Sequence, residues 1–381
     1  MPRIRAENKK LSSDVVHRQK KSGIPDFVHL SRSSVSMVWL HRYTMCVAVT
    51  SLLLIIAGGL VTSTGSGLAV PDWPTSYGYF MFSFPFSKMV GGVFYEHVHR
   101  LIASTVGLLT VLLTVWVWCI ESRSLVKRLT LITLTVVVIQ GILGGITVLY
   151  FLPAPISITH AGLAHIFFCL IVSLTIFTSR GWLSSYHQNS SRIHSGNLIR
   201  NNTLTLQRVA IATTLIIYIQ IIVGATMRHT GAGLAIPDYP LAFGKLIPPH
   251  WDQAIYTHFA HRVGALVTLI AVLVTARCVW VQRRTRKELI QPMLIMIVLV
   301  LSQIVFGGWT VLSGKSLPIN TAHVSTGALL LAFSLSVALR ACRSMFSDNE
   351  LVPSAMVIGN AQSAERKLPA VSSQDQHGLG L

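Results

Sequence analysis

The chain has 381 residues, 51% of them hydrophobic and only 12% charged, with a mean hydropathy of +0.59; that mixture excludes an ordinary water-soluble domain. In a soluble protein the net charge of +18, from 31 Lys and Arg against 13 Asp and Glu, would point to nucleic acid. Here the basic residues cluster between apolar runs, where they orient helices in a bilayer, so the expected partner is lipid and not nucleic acid.

Residues 1–42 are polar and basic, contain Glu7, Asp14 and Asp26 and lack a cleavable apolar core, which argues against an acid-poor presequence. They are read as a disordered inner tail. Apolar runs long enough to cross a hydrocarbon layer of about 30 Å follow near 43–62, 97–119, 129–150, 157–179, 209–227, 258–276, 289–312 and 318–339. The expected fold is all-α, a polytopic membrane protein with eight transmembrane helices. Two four-helix units are expected at 43–180 and 209–340, joined by an inner linker at 181–208 and followed by a disordered tail at 341–381.

With the N-terminus inside, inner segments hold 9 Lys and Arg before the first span, then 3, 4 and 5 in the inner loops and 4 after the last span. The outer loops hold only Lys88, Arg228, Lys245 and Lys315. Both termini are therefore expected in the cytoplasm. The bacterial plasma membrane is the first expectation for location and the mitochondrial inner membrane the alternative. Cys46, Cys119, Cys169, Cys278 and Cys342 all fall within spans or near their inner ends, so neither a structural disulfide nor a CxxC site is implied.

The chain also matches itself. Thr64-Gly65-Ser66-Gly67-Leu68-Ala69-Val70-Pro71-Asp72-Trp73-Pro74 aligns with Thr230-Gly231-Ala232-Gly233-Leu234-Ala235-Ile236-Pro237-Asp238-Tyr239-Pro240 at an offset of 166. His99-Arg100 aligns with His261-Arg262 at 162, and Gln140, Gly144-Gly145 and His160 align with Gln303, Gly307-Gly308 and His323 at 163. Each copy has an even number of spans, so the two parallel-repeat four-helix bundles share one orientation, about an axis along the membrane normal.

His99, His160, His261 and His323 each begin a span that runs from outside to inside, so all four lie at similar depth. Two imidazoles from neighbouring helices can ligate one haem iron from both sides. A lone membrane histidine is more often a packing residue or part of a proton path; four at duplicated positions favour ligation. Arg100 and Arg262, directly after a histidine, are candidate propionate partners. His97 and His165 have no second-copy histidine and are read as structural. Zinc is disfavoured, since no cysteine or carboxylate cluster joins the histidines. Glu96, three residues before His99, shares its helix face, whereas His258 stands at the matching place before His261. Proton transfer near a haem and simple stabilisation of a helix N-terminus are equally good readings of Glu96. Asp72 and Asp238 are expected to cap turns, with a propionate contact through a partner cation as the alternative. The glycine pairs should permit close helix packing or the approach of a flat ring.

Taken together, Gly65-x-Gly67-x3-Pro71-Asp72-Trp73-Pro74, Glu96-x2-His99-Arg100, Gly144-Gly145 with His160, and the second set through His261-Arg262 and His323 resemble the haem A synthase family over roughly residues 40 to 340. The resemblance implies conversion of haem O to haem A. In that reaction the ring methyl at carbon 8 becomes a formyl group through successive hydroxylations with water-derived oxygen, in support of haem-copper oxidase assembly. It implies His99 and His160 around the substrate haem, Glu96 as the catalytic carboxylate, and His261 and His323 around a resident haem b. A haem O synthase as supplier and an electron acceptor of unspecified nature are implied as partners; a homo-oligomer is compatible with the sequence. Some members of that family carry a cysteine pair in the first outer loop; this chain resembles the type without it, since 61–95 contains no cysteine. The alternative function is a dihaem electron-transfer cytochrome that turns over no substrate.

Overall fold

A computed structural model describes residues 26–184 and 197–346. Eight helices among them are long and apolar enough to cross a membrane: α1 (Asp26–Ser63), α2 (Gly92–Ile120), α3 (Ser124–Leu149), α4 (Ala154–Thr178), α5 (Asn197–His229), α6 (Gln253–Val281), α7 (Ile290–Leu312) and α8 (Leu317–Ala341). No β-strand forms among the described residues beyond two isolated bridges. An all-α chain is what a bilayer demands, because a helix satisfies its own backbone hydrogen bonds where no water is available.

The helices outrun the apolar runs at their polar ends. α1 is helical from Asp26, inside the stretch expected to be a tail, and α5 starts at Asn197, inside the expected linker. Hydropathy locates the part that suits hydrocarbon, whereas the hydrogen-bond ladder continues into the interface for as long as nothing breaks it. The expected tails at 1–25 and 347–381 and the linker centre at 185–196 lie outside the described residues.

Helix ends follow local chemistry. The Asp252 carboxylate accepts the Ile255 N–H at 2.7 Å and caps α6. Pro155 and Pro318 sit in the first turns of α4 and α8, where a missing N–H costs nothing. After α1 and α5 the chain turns at Gly65 (φ 67°) and Gly231 (φ 76°), left-handed conformations open to glycine. Within the helices many hydroxyls are satisfied one turn back, as where Thr110 donates to Val106 O at 2.7 Å and Ser173 to Cys169 O at 2.8 Å.

Buried apolar residues form two main clusters. Leu40, Val47, Leu113, Val126 and Ile171 belong to one, drawn from α1 to α4. Leu206, Ile217, Val272, Met296 and Leu331 belong to the other, drawn from α5 to α8. Between the halves α1 packs against α8, α4 against α5 and α8, with Phe168, Ala328 and Ala332 buried together. Polar links join the same helices: Arg228, near the end of α5, donates to Gly59 O and Ser63 Oγ of α1, both at 2.6 Å, and Asn320 of α8 donates to Ser63 Oγ at 3.0 Å. At the opposite end the fully buried Glu121–Arg123 ion pair (2.6 Å) is tied to α4 through Arg123 Nη1 and Phe177 O at 2.9 Å.

Candidate haem-binding site

The loops after α1 and α5 fold alike and cap one end of the bundle. Asp72 accepts the Tyr77 N–H on Oδ1 (2.7 Å) and, on Oδ2, the Gly78 N–H (2.9 Å) and Thr75 hydroxyl (2.5 Å). Asp238 accepts the Phe243 and Gly244 amides at 2.7 and 2.8 Å. Each carboxylate thus grips a tight turn with two positive-φ residues in a row, Tyr77-Gly78 or Phe243-Gly244. Partial burial works to raise the Asp72 carboxyl, but hydrogen bonds from Gly78, Thr75 and Tyr77 outweigh it and hold the group at about 2. The Gly244 amide, then that of Phe243, with Arg262 nearby, holds Asp238 below the usual carboxylate range.

Arg100 and Arg262 stitch these caps to the helices. Arg100 Nη1 donates to Asp72 O (2.7 Å) and Thr75 O (3.0 Å), and Nη2 donates to Val70 O (2.8 Å) and Glu96 Oε1 (2.6 Å). Arg262 donates to Leu241 O (2.7 Å), Asp238 O (2.7 Å) and Ile236 O (3.2 Å). Both guanidinium groups, read from the sequence as propionate partners, are engaged with loop carbonyls; only Arg262 Nε is buried without a partner.

Beneath the caps, all four histidines rest on helical glycines. A Cβ added at Gly58 would lie 3.1 Å from His99 Cε1, at Gly144 3.3 Å from His160 Cε1, at Gly224 2.9 Å from His261 Cε1, and at Gly307 3.2 Å from His323 Cε1. Each consecutive helix pair, α1–α2, α3–α4, α5–α6 and α7–α8, therefore contributes one glycine and one imidazole laid against it. The second glycine of each pair has its own task. A Cβ at Gly145 would fall 2.6 Å from the Trp73 ring, and one at Gly308 2.6 Å from that of Tyr239, so the cap aromatics lie on α3 and α7.

The histidines are held in twos. The His261 and His323 rings sit 6.3 Å apart between centroids, with planes at 77°. Two metal–imidazole bonds of about 2 Å each, with ring centres about 1 Å behind the nitrogens, span about 6 Å, so this pair suits one iron between two imidazoles. His99 and His160 occupy the corresponding glycine seats of the first half. Nδ1 of His99, His160 and His323 is buried without a hydrogen-bond partner, whereas none of the four Nε2 atoms is in that state. A ring with its Nδ1 edge buried and Nε2 reachable is oriented for ligation through Nε2. Among the described residues no group of three or more His, Cys, Asp or Glu converges on a point, so the histidines fit a porphyrin iron better than an all-protein metal centre.

Glu96 and His258 occupy matching places and accept matching bonds. Glu96 Oε2 accepts the Val70 N–H at 2.8 Å, and His258 Nδ1 accepts the Ile236 N–H at 3.3 Å. Only Glu96 carries a buried ion pair, to Arg100 at 2.6 Å. His97 and His165 make ordinary structural contacts: His97 Nδ1 lies 3.1 Å from Ser76 Oγ with its ring on Phe84 (4.7 Å), and His165 Nδ1 lies 2.8 Å from Ala161 O.

Gly58 and Gly224 do not stand out in the sequence as site residues. A signal was there, since Gly58 and Gly224 share the offset of 166 of the cap motifs, but a glycine in an apolar helix is common and the seat exists only once a neighbouring helix brings a histidine to it.

Eight helices long and apolar enough to cross a membrane, with four glycine-seated histidines beneath paired caps, define a multi-pass membrane protein. Over residues 41–335 the chain matches the COX15-CtaA family, described as cytochrome oxidase assembly protein, and it belongs to that family. It is similar to proteins named "Heme A synthase" from three bacteria. The Symbiobacterium thermophilum protein is 31% identical over 235 residues, covering 61% of this chain and 72% of the relative. The Geobacillus kaustophilus protein is 26% identical over 315 residues (81% and 93%), and that of Shouchella clausii 29% over 298 residues (76% and 93%).

Proposed function

We propose that the chain is a haem A synthase, an oxidoreductase that turns the carbon-8 methyl of haem O into the formyl of haem A by successive hydroxylations with oxygen from water. The observation that carries this reading is the doubled arrangement of glycine-seated histidines under caps, differing at Glu96 and His258. The three relatives' names support it.

In this reading α1 to α4 form the substrate unit and α5 to α8 the electron-transfer unit. His99 and His160 hold haem O through Nε2, with the ring seats fixing how deep the porphyrin lies. Glu96 takes up a proton as the methyl is oxidised. Its Arg100 partner aims one carboxylate oxygen, while the Val70 amide fixes the other. His261 and His323 would hold a resident haem b, which when bound would pass the four electrons released by methyl-to-formyl oxidation, one at a time, to an acceptor. His258, neutral and bonded to the cap, preserves the fold there without placing a carboxylate. Arg100 and Arg262 brace the cap loops and remain the candidate propionate partners, Arg262 with its Nε unpartnered. The protein sits in the bacterial plasma membrane with both termini in the cytoplasm, a placement supported by the bacterial relatives and the distribution of basic residues.

The test is haem extraction from protein purified with and without co-expression of a haem O source. The expected result is haem b in both and haem A only with the supply. Haem b alone in both, with neither haem O nor haem A, would overturn the enzyme and leave a dihaem electron carrier.

A further inference from the structure

Behind the rings the four histidine seats are not equal. In three helix pairs a glutamine four residues before the seat glycine donates its amide to the histidine's main-chain carbonyl. Gln140 does so to His160 (2.8 Å), Gln220 to His261 (2.8 Å) and Gln303 to His323 (2.7 Å). Gln220 also reaches His261 Nδ1 at 3.1 Å. Its side chain lies where a Cβ on residue 264 would have to be, and residue 264 is glycine.

In the α1–α2 pair this arrangement is replaced at both places. Leu54 stands for Gln220, at the offset of 166 that relates Gly58 to Gly224, and Ile102 stands for Gly264, at the offset of 162 that relates His99 to His261. Leu54 and Ile102 both pack against the apolar cluster of α1 to α4. Among the described residues, His99 is thus the one histidine of the four with neither its ring nor its main-chain carbonyl tied by a side chain. The Leu54 main-chain carbonyl is close to the ring but outside hydrogen-bond geometry.

We propose that Leu54 and Ile102 make His99 the exchangeable ligand of the set, the one that lets go when substrate porphyrin enters and product leaves. This rests on the haem O site proposed above. Gln140 and Gln303 fix the main chain from which their imidazoles project, and Gln220 fixes both main chain and ring, so each brace resists the movement a ligand must make to leave. A site that turns over must release its product, a step that limits many enzymes, whereas a resident electron carrier has to stay bound. The braced pair His261 and His323 suits retention, and the half-braced pair His99 and His160 suits exchange. Leu54 and Ile102 are positioning residues, acting through His99.

Carbon monoxide tests this on the reduced holoprotein, because it binds only where an axial imidazole dissociates; the haem at each site is assigned by the absorption band lost in His323→Ala. In the wild type, CO should bind the N-terminal-site haem first. Leu54→Gln with Ile102→Gly, which transplants the brace, should lower CO binding there about tenfold, the change one net hydrogen bond makes. Gln220→Leu alone, with no new bulk beside it, should raise CO binding at the C-terminal site by a similar factor and remains informative if the double variant does not accumulate. Equal CO binding at both wild-type sites, or unchanged binding in both variants while the bis-imidazole spectra persist, would overturn the proposal. A wild-type protein that shows no bis-imidazole spectrum would overturn the haem assignment itself, a distinguishable failure.

Discussion

At the capped end of the first half Glu96 accepts the Val70 amide, and at the corresponding place in the second half His258 accepts the Ile236 amide. The shared bond shows that this position first serves the loop: whichever residue stands there must offer an acceptor to the cap. The difference is charge. Glu96 brings a carboxylate that Arg100 balances at 2.6 Å, while His258 brings a neutral acceptor and leaves Arg262 to the loop carbonyls. Two matching cap positions can therefore keep the same backbone bond while one carries a buried, ion-paired carboxylate and the other does not.

The largest expected effect tests whether the second half is the resident-haem half. Replacing His261 or His323 with alanine should remove haem b altogether, seen as loss of its bis-imidazole absorption; a normal spectrum in either variant would end that assignment. Next comes Glu96. Glu96→Gln keeps an oxygen for the Val70 amide but removes the charge, so haem O should still bind while haem A formation drops by at least about tenfold. Near-normal haem A in extracts would reduce Glu96 to a cap residue. Glu96→Ala also strands Arg100, and breaking a buried pair in this way costs about 3–5 kcal/mol. His258→Ala loses one neutral hydrogen bond worth about 1 kcal/mol. Thermal unfolding in detergent should rank the two accordingly, and equal losses would erase the asymmetry.

A smaller effect is expected from the ring seats. Gly224→Ala places a methyl 2.9 Å from His261 Cε1, whereas Gly144→Ala places one 3.3 Å from His160 Cε1. The first should shift the haem spectrum and weaken retention more than the second, measured as the rate of haem transfer to an apo-globin. The smallest concerns pH. The folded Asp72 carboxyl, held at about 2, lies below the free value of about 3.9. Its stabilising bonds are thus fully present above the free value and are lost as the pH falls through about 2. Amide exchange at Tyr77 and Gly78 should remain slow from neutral pH down to about 4, and Asp72→Asn should flatten any acid response; protection lost well above that range would show that another group controls the cap.

Much of this was legible in the sequence for definite reasons. Eight long apolar runs show directly because hydrocarbon imposes one length and one composition on whatever crosses it. The duplication shows because the cap motif needs glycine, proline and aspartate at set places, and its second copy kept them. Harder to see were the cap contacts of the arginines, since residue type and spacing do not say which loop carbonyls a guanidinium reaches. The glycine pairs were visible as pairs, yet not that Gly144 seats His160 while Gly145 seats Trp73.

The sequence by itself determined the eight helices, the family, the doubled motifs and the difference between Glu96 and His258, because each depends on residue type and spacing along one chain. Only the tertiary structure decided that each histidine rests on a glycine of the preceding helix, that Arg100 and Arg262 are committed to the caps, and that His99 alone lacks a side-chain brace. Those are contacts between helices, set by rotation and approach, which the pattern along any single helix does not contain.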